Sequence, residues 1–348
     1  MSKSKVAIIC GGKSSEHEIS CVSANGILNS IDRNLFEPVL IGITKSGKWL
    51  LLPDDTNFAI INGALPTVPE SGVEISITSQ GLFSGGKALT IDVAFPILHG
   101  TYGEDGTIQG LFEMIAISYV GSGVLASAVS MDKSYAKPIF AAAGLKVAPG
   151  IVVTSKDFEL PSNLTFPLFV KPARSGSSRG TTKVKQKSEL AAAVANALEF
   201  DTKVIIEQGV AGKEIECAVL QADAKLTVSQ VGQIVLSDKF EFYDFQAKYL
   251  DDSMQLVVPA DLPAGVEAKI QQAALAAFKA AGCEGLARID FFYSDQGEII
   301  INEINTMPGF TPTSVYPKLI EKSGVSYQQL ITKLIQTAQN RSISITRY

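Results

Sequence analysis

The chain is poor in the residues that usually mark a metal or nucleophilic centre. Its 348 residues contain two histidines, His17 and His99, which excludes a histidine-rich metal site. The four cysteines, Cys10, Cys21, Cys217 and Cys283, are scattered, with no paired ligand spacing. Their small or apolar neighbours make each read as a buried hydrophobe. No apolar run reaches the length of a membrane span. The apolar run in MSKSKVAIICGG is too short for a secretory signal. Net charge is −5 with mixed signs, so no basic face invites nucleic acid. Apolar residues make up 46 %, which excludes wholesale disorder. These exclusions leave a soluble protein of a reducing cytoplasm, long enough for two or three domains, with neither nucleic acid nor membrane as partner.

Against that background the stretch RIDFFYSDQGEIIINEINTMPG, residues 288–309, stands out. Two apolar strands flank the polar turn Ser294-Asp295-Gln296-Gly297. Side chains alternate along a strand, so Arg288 shares a face with Asp290, and Glu303 with Asn305. A hairpin centred on Gln296-Gly297 sets Asp290 opposite Glu303 and Arg288 opposite Asn305. Directly opposed side chains sit roughly 5 Å apart at Cβ, where like charges destabilise a sheet. Ile289, Phe291, Ile300 and Ile304 suggest that the other face is buried, which disfavours a surface hairpin with solvated acids. The acid pair therefore needs a cation. Donors that are all oxygen (Asp290, Glu303 and the Asn305 amide) suit Mg²⁺ or Mn²⁺ rather than zinc. Mg²⁺ held by few carboxylates completes its shell with water and substrate phosphates, which points to a nucleotide enzyme.

The rest of the chain reads as mixed α and β. A buried strand over residues 5–10 ends at Gly11-Gly12, and a capping box at Ser15-Glu16-His17-Glu18 precedes a helix from Ile19 to Ile31. Strands over 37–43, 48–52 and 91–98 complete a doubly wound opening unit. A second unit begins near Gly121-Ser122-Gly123, with a helix over 130–143, strands over 168–171, 181–184 and 203–207, and a helix over 188–200. The third, from about Gly209, has strands over 213–221, 228–236, 254–258, 286–293 and 298–304 and two long helices over 264–281 and 314–338. The tail 342–348 frays.

Several segments carry chemistry. Lys171-Pro-Ala-Arg-Ser-Gly-Ser-Ser-Arg-Gly180 is a small, flexible loop whose backbone N–H groups can approach phosphate. The lysine precedes the loop and a strand follows it, so this is a lid between antiparallel strands and no Walker P-loop. Glu207-Gln208-Gly209-Val210 ends a buried strand and can read an adenine and its ribose. Of Glu214 and Glu216 only one is expected to face the cleft, and Glu214 is preferred. KFEFYDFQAKY, residues 239–249, reads as a compact loop in which Lys248 reaches a phosphate and Tyr249 a small substrate. His99-Gly-Thr-Tyr-Gly-Glu-Asp-Gly106 and residues 11–18 each follow a strand of the opening unit, the place where ligands gather. The dinucleotide pattern G-x-G-x-x-G is absent.

Together these segments resemble the ATP-grasp superfamily, and within it the D-alanine–D-alanine ligase family. The resemblance covers nearly the whole chain and rests on GGKSSEHEIS (11–20), HGTYGEDGTIQG (99–110), MDKSYAK (131–137), KPARSGSSRG (171–180), EQGVAGKEIECAVL (207–220), FYDFQAKY (242–249), ARIDFF (287–292) and NEINTMPGFTPTS (302–314). It implies an α/β fold, α+β in the ATP-binding part, with the nucleotide held between two sheets. Three domains follow: 1–123 doubly wound, 124–208 the lid, and 209–348 with the metal and substrate site. It implies ATP and two Mg²⁺ or Mn²⁺ ions, the metal on Asp290, Glu303 and Asn305. Lys133, Lys171 and Lys248 grip phosphate. Glu207, Gln208, Val210, Glu214 and Phe242 hold adenine and ribose. Glu16, Ser177, Tyr249, Arg288 and Ser314 act on the D-alanine substrates, which His99, Gly309 and Val315 also bind. A cytoplasmic homodimer serving peptidoglycan synthesis is expected.

Some positions depart from the family pattern. Arg174, Ser175 and Arg179 make the lid unusually polar and basic, which can alter its closure. Val315 stands where a larger aliphatic is common and slightly widens the second-substrate pocket. Three other readings are a ligase taking D-serine or D-lactate second, a different ATP-grasp carboxylate–amine ligase, and a non-catalytic nucleotide-binding protein. Tyr249 argues against D-lactate, and the intact set of Arg288, Asp290, Glu303 and Asn305 argues against the last.

Overall fold

The computed structural model describes residues 3–223, 225–236 and 254–341. An eight-stranded sheet is built on β1 (Ser4–Gly11), which pairs in parallel with β2 (Phe36–Ile43) and with β7 (Val93–Pro96). The chain adds β2 on one side of β1 and β7 on the other, so the strand order reverses there and opens a crevice at the carboxyl ends. The segments 11–18 and 99–106 both leave from that crevice. Gly11 has φ +88, and a Cβ would sit 2.3 Å from the Ile43 carbonyl oxygen, so only glycine turns the chain there. Between them β3 (Trp49–Leu51), β4 (Val73–Thr78), β5 (Gly81–Ser84) and β6 (Lys87–Ala88) extend one edge. After helix α2 (Thr107–Met114), the short β8 (Ser118–Tyr119) lies at the other edge.

A four-stranded antiparallel sheet comprises β11 (Thr182–Val184), β10 (Leu168–Pro172), β12 (Val204–Gln208) and β9 (Gly150–Val153), in that order. The loop 174–180 joins antiparallel neighbours, as expected of a lid. A five-stranded antiparallel sheet runs β15 (Met254–Val257), β14 (Lys225–Leu236), β13 (Gly212–Ala222), β16 (Leu286–Ser294), β17 (Ile299–Asn305). Ile215, Cys217 and Val219 of β13 pack with Ile289 and Phe291 of β16 under helix Val266–Ala280. Ala218 and Leu220 point the opposite way, into the core shared with the C-terminal helices. Alternation at period two produces both faces.

The helices expected over 130–143 and 314–338 are each broken. Residues 124–142 form α3 (Val124–Met131) and α4 (Lys133–Ala142), because Asp132 leaves helical geometry and its carboxylate accepts the Ser134 N–H as a cap. The C-terminal helix divides into Val315–Lys322 and Tyr327–Gln339, with Gly324 at φ +93 and a capping box on Ser326. The box expected at Ser15 does not form. Helix α1 (His17–Ser30) has Glu16 as its N-cap residue, with no side-chain cap.

The first and third sheets share one core. Phe310 is fully buried and sits 5.6 Å from the ring of Phe95 on β7, with Tyr316 and Tyr327 beside it. The Tyr316 hydroxyl donates to the Val219 carbonyl and that of Tyr327 to the Phe310 carbonyl. All four cysteines are buried thiols. Phe310→Ala is expected to lower unfolding stability by about 3–5 kcal/mol, since the cavity lies where two sheets meet. Denaturant titration checks it, and a loss below about 1 kcal/mol contradicts a shared core.

Candidate active site

The acids meet across the hairpin as the sequence suggests: Asp290 pairs with Glu303, Ile289 with Ile304 and Arg288 with Asn305. The route differs from a regular hairpin. Beyond Asp290 the register shifts, so that Phe291 pairs with Ile301 and Asn302 is the extra residue. This bulge lets Ile301 and Ile304 both enter the core under Val266–Ala280. A regular strand would send them to opposite faces. Glu303 and Asn302 thereby both line the cleft.

Each acid has a cation against it. Arg288 grips Asp290 with Nε and Nη2, both at 2.8 Å, and its Nε also lies 2.9 Å from Glu216. The Asn305 amide donates to Asp290 at 3.0 Å. Lys133, at the start of α4, lies 3.1 Å from Glu303 and donates to the Ser175 carbonyl at 3.1 Å. Burial opposes its charge, but Glu303, together with Glu207 and Glu104, outweighs burial and raises the Lys133 pKa. Glu207 is bound by Lys137 at 2.7 Å and by Lys171, which also donates to Asn302 at 3.2 Å. Burial pushes Glu207 up, yet Lys137 and Lys171 together hold it down to about 2. Lys171 shifts down, because burial and then the neighbouring Lys137 and Lys133 outweigh its single carboxylate partner.

Two chambers meet at Ser177 and Glu303. The larger, about 400 Å³, lies between the four- and five-stranded sheets and is lined by Lys133, Lys171, Glu207, Gln208, Val210 and Glu214 among others. Glu216 lines it too, so the expectation that only Glu214 faces the cleft is corrected. Residues two apart on a strand share a face, and both acids point inward. The smaller chamber, about 250 Å³, brings together Glu16, His99, Arg288, Asn305, Gly309, Ser314 and Val315. Ser177 donates to Glu16 across 161 residues of chain. Gly176 lies against it, and a Cβ there would sit 3.1 Å from the Glu16 carboxylate. Arg174 is bound by Asp201 at the base of the lid, and Arg179 reaches the Ser15 carbonyl at 3.3 Å. The basic lid residues thus anchor the loop. Tyr249, Lys248 and Phe242 lie outside the described residues.

Sequence reasoning missed Lys137, Glu104 and the inward face of Glu216. Lys137 could have been found, as it stands one helical turn beyond Lys133. Glu104 also lines the smaller chamber, and burial followed by the Glu16 carboxylate pushes it up to about 8. Among the described residues no three His, Cys, Asp or Glu side chains form a metal cluster. The donor set here is two carboxylates and one amide, all oxygen, and suits a hard divalent cation.

Two facing sheets, a lysine-lined cleft between them and oxygen donors at its mouth define an ATP-grasp ligase. Residues 5–122 match the family described as D-ala D-ala ligase N-terminus, and 139–336 match D-ala D-ala ligase C-terminus. The D-alanine–D-alanine ligase of Paenarthrobacter aurescens is 46 % identical over 98 % of this chain and 96 % of its own. The VanG D-Ala:D-Ser ligase from Enterococcus faecalis superposes with a TM-score of 0.84 at 38 % identity, covering 97 % of this chain and 100 % of that one. The D-alanine–D-alanine ligase from Bacillus anthracis complexed with ATP gives 0.74 at 31 % identity, covering 97 % of each. The chain belongs to the D-alanine–D-alanine ligase family.

The Glu207 carboxylate generates a pH prediction. Its folded pKa, about 2, lies below the unfolded value of about 4.3, so its stabilisation is complete above the unfolded value and lost as pH falls toward 2. A shift of this size corresponds to about 3 kcal/mol. Glu207→Gln is expected to flatten stability between pH 4 and 2, measured by denaturant unfolding at each pH. An unchanged acid limb means that the two lysines do not hold this charge.

Proposed function

We propose that the larger chamber holds ATP and the smaller one the amino-acid substrates, so that both halves of one reaction meet at Ser177 and Glu303. The reaction is ATP-dependent ligation of two D-alanines to D-alanyl-D-alanine for peptidoglycan synthesis. The carboxylate of the first D-alanine attacks the γ-phosphorus, giving an acyl phosphate and ADP. The amine of the second then attacks the acyl carbon, and phosphate leaves. The observation that carries this reading is the opposed pair Asp290 and Glu303, with Arg288 and Lys133 on them, at the junction of the two chambers.

Roles follow from position. Lys133 and Lys171, with Lys248 from the 239–249 loop, draw the triphosphate. Glu207, Gln208, Val210, Glu214 and Phe242 frame adenine and ribose. Glu16 holds the first substrate's ammonium and is itself oriented by Ser177, with Tyr249 extending that link. Arg288 faces the oxyanion that forms at the acyl carbon, and Gly309 borders the substrates. Ser314 and Val315 border the second substrate. Asp290, Glu303 and Asn305 would hold two Mg²⁺ or Mn²⁺ ions, which would offset charge on the transferring phosphoryl group. The 174–180 loop, fastened to Glu16, keeps water from the acyl phosphate.

The three-domain division at 123 and 208 is supported by the three sheets and by the family matches, which part between residues 122 and 139. No helix among the described residues is long and apolar enough to cross a membrane. A cytoplasmic place follows from the use of ATP, and with a net charge of −5 neither nucleic acid nor membrane is a partner. The homodimer is part of the same reading.

D-Serine as second substrate is the alternative that the VanG likeness favours. Phosphate release with product analysis over D-alanine, D-serine, D-lactate and L-alanine decides it. D-alanyl-D-alanine is expected as the main product, and a preference for D-serine in the second site overturns the D-alanine reading. Glu303→Ala is expected to reduce ligation by more than the roughly 10- to 100-fold that loss of an outer-shell partner costs. Its fold should persist, because Glu303 faces the cleft. Near-normal turnover in a folded Glu303→Ala protein refutes the metal assignment.

A further inference from the structure

The loop following β7 reaches across the molecule to one residue, Met307. The Met307 N–H donates to Glu104 at 3.2 Å, and the Met307 carbonyl lies 3.0 Å from His99 Nδ1. The other Glu104 oxygen accepts the Gly100 N–H at 2.7 Å. Met307 stands two residues after Asn305 and two before Gly309, so its backbone links the end of β17 to the turn behind the smaller chamber. A carbonyl only accepts, which puts the His99 proton on Nδ1. Nε2, 3.1 Å from the Ser23 hydroxyl, then accepts from it. Both ring nitrogens are engaged within the protein, and the ring is 4 % exposed. Burial lowers the His99 pKa, which favours the neutral ring.

We propose that His99 and Glu104 are positioning residues: they clamp the Met307 backbone from both sides and thereby fix the turn at Gly309, which lines the smaller chamber with Arg288. They act through Met307 and do not touch substrate. This inference rests on the ligase reading and reassigns His99 within it, since resemblance set His99 among the substrate contacts. Its consequence is large because the chain from Asn305 to Gly309 is short. A shift of about 1 Å in a positioned group can cost about 100-fold in rate.

Two substitutions of His99 separate the readings. In His99→Asn the amide nitrogen stands near Nδ1, which keeps the donor to Met307 and loses Ser23. In His99→Gln the amide stands near Nε2, which keeps Ser23 and loses Met307. Glu104→Leu removes both acceptor oxygens and breaks that side of the clamp. For His99→Gln and Glu104→Leu, kcat is expected to fall about 10- to 100-fold with KM for ATP unchanged, while His99→Asn stays within about tenfold of wild type. Amide hydrogen exchange, followed beside the kinetics, should show lost protection over residues 305–309 in the same two variants and not in His99→Asn.

His99→Gln matching or exceeding His99→Asn in kcat overturns the clamp. So does a rise in KM for D-alanine with kcat intact, which is the signature of direct contact. Exchange that is equal in all variants overturns it as well. Should His99→Gln fail to fold, Glu104→Leu carries the same comparison. Absence of ligation by the wild-type protein sinks the ligase reading alone, because the exchange measurement still decides the clamp.

Discussion

Two carboxylates facing each other across a sheet are the constraint around which this molecule is arranged. Asp290 and Glu303 occupy directly opposed positions, where like charges repel. Removing such charges from water costs several kcal/mol each unless partners replace the solvent. The structure meets that demand with cations drawn from different elements. Arg288 comes from the same strand as Asp290, Lys133 from the start of α4, and Lys171, with Lys137, neutralises the neighbouring Glu207. The acids on Asp290 and Glu303 belong to the five-stranded sheet, while Glu207 and Lys171 belong to the four-stranded one. Lys171 also crosses to Asn302 of the facing sheet. Electrostatics therefore set the distance between the two walls of the cleft. In the proposed function, triphosphate competes for the same lysines and divalent cations for the same carboxylates. Loading the site is then an exchange of partners, which avoids the exposure of a bare buried charge.

The acid pair was legible because it depends on short-range rules. Alternation and a plausible turn were enough to put Asp290 opposite Glu303. The sequence did not disclose that the turn is tighter than supposed, nor that Asn302 is inserted to restore the pairing. Both routes give the same opposition of acids, but only the bulge turns Asn302 toward Lys171. Glu216 was misread by ignoring the same rule that located Asp290: period two puts it beside Glu214. The partners of His99 and Glu104 are different in kind. Their contacts with Met307 span 208 and 203 residues, and no local pattern encodes such a meeting.

The helix boundaries show how local signals compete. The helices read over 130–143 and 314–338 run across both breaks. The interruptions have their own chemistry: the Asp132 carboxylate caps α4 and pairs with Lys203, while Gly324 takes a left-handed turn before the Ser326 box. Near the site the competition goes the other way. Ser15 and Glu18 have the spacing of a capping box, yet α1 starts with Glu16 uncapped by side chain and bonded to Ser177. Departure from local preference at a working position is what a functional constraint produces.

Glu16 also explains the least comfortable backbone in the lid. Ser177 and Ser178 have φ of 50 and 56, a left-handed conformation that costs of order 1–3 kcal/mol in a non-glycine residue. Such a conformation persists only where its surroundings hold it. Ser177 is held by Glu16, the Ser175 carbonyl by Lys133, and Arg179 by the Ser15 carbonyl. The lid is thus tied at once to the first sheet's helix and to the lysine that meets Glu303. The 99–104 loop ties the first sheet to Met307, and Lys171 ties the lid's sheet to Asn302. Three joints close a triangle around the point where the chambers meet. Opening any one of them displaces a group belonging to the other two, so substrate admission and alignment of the reacting groups are mechanically linked.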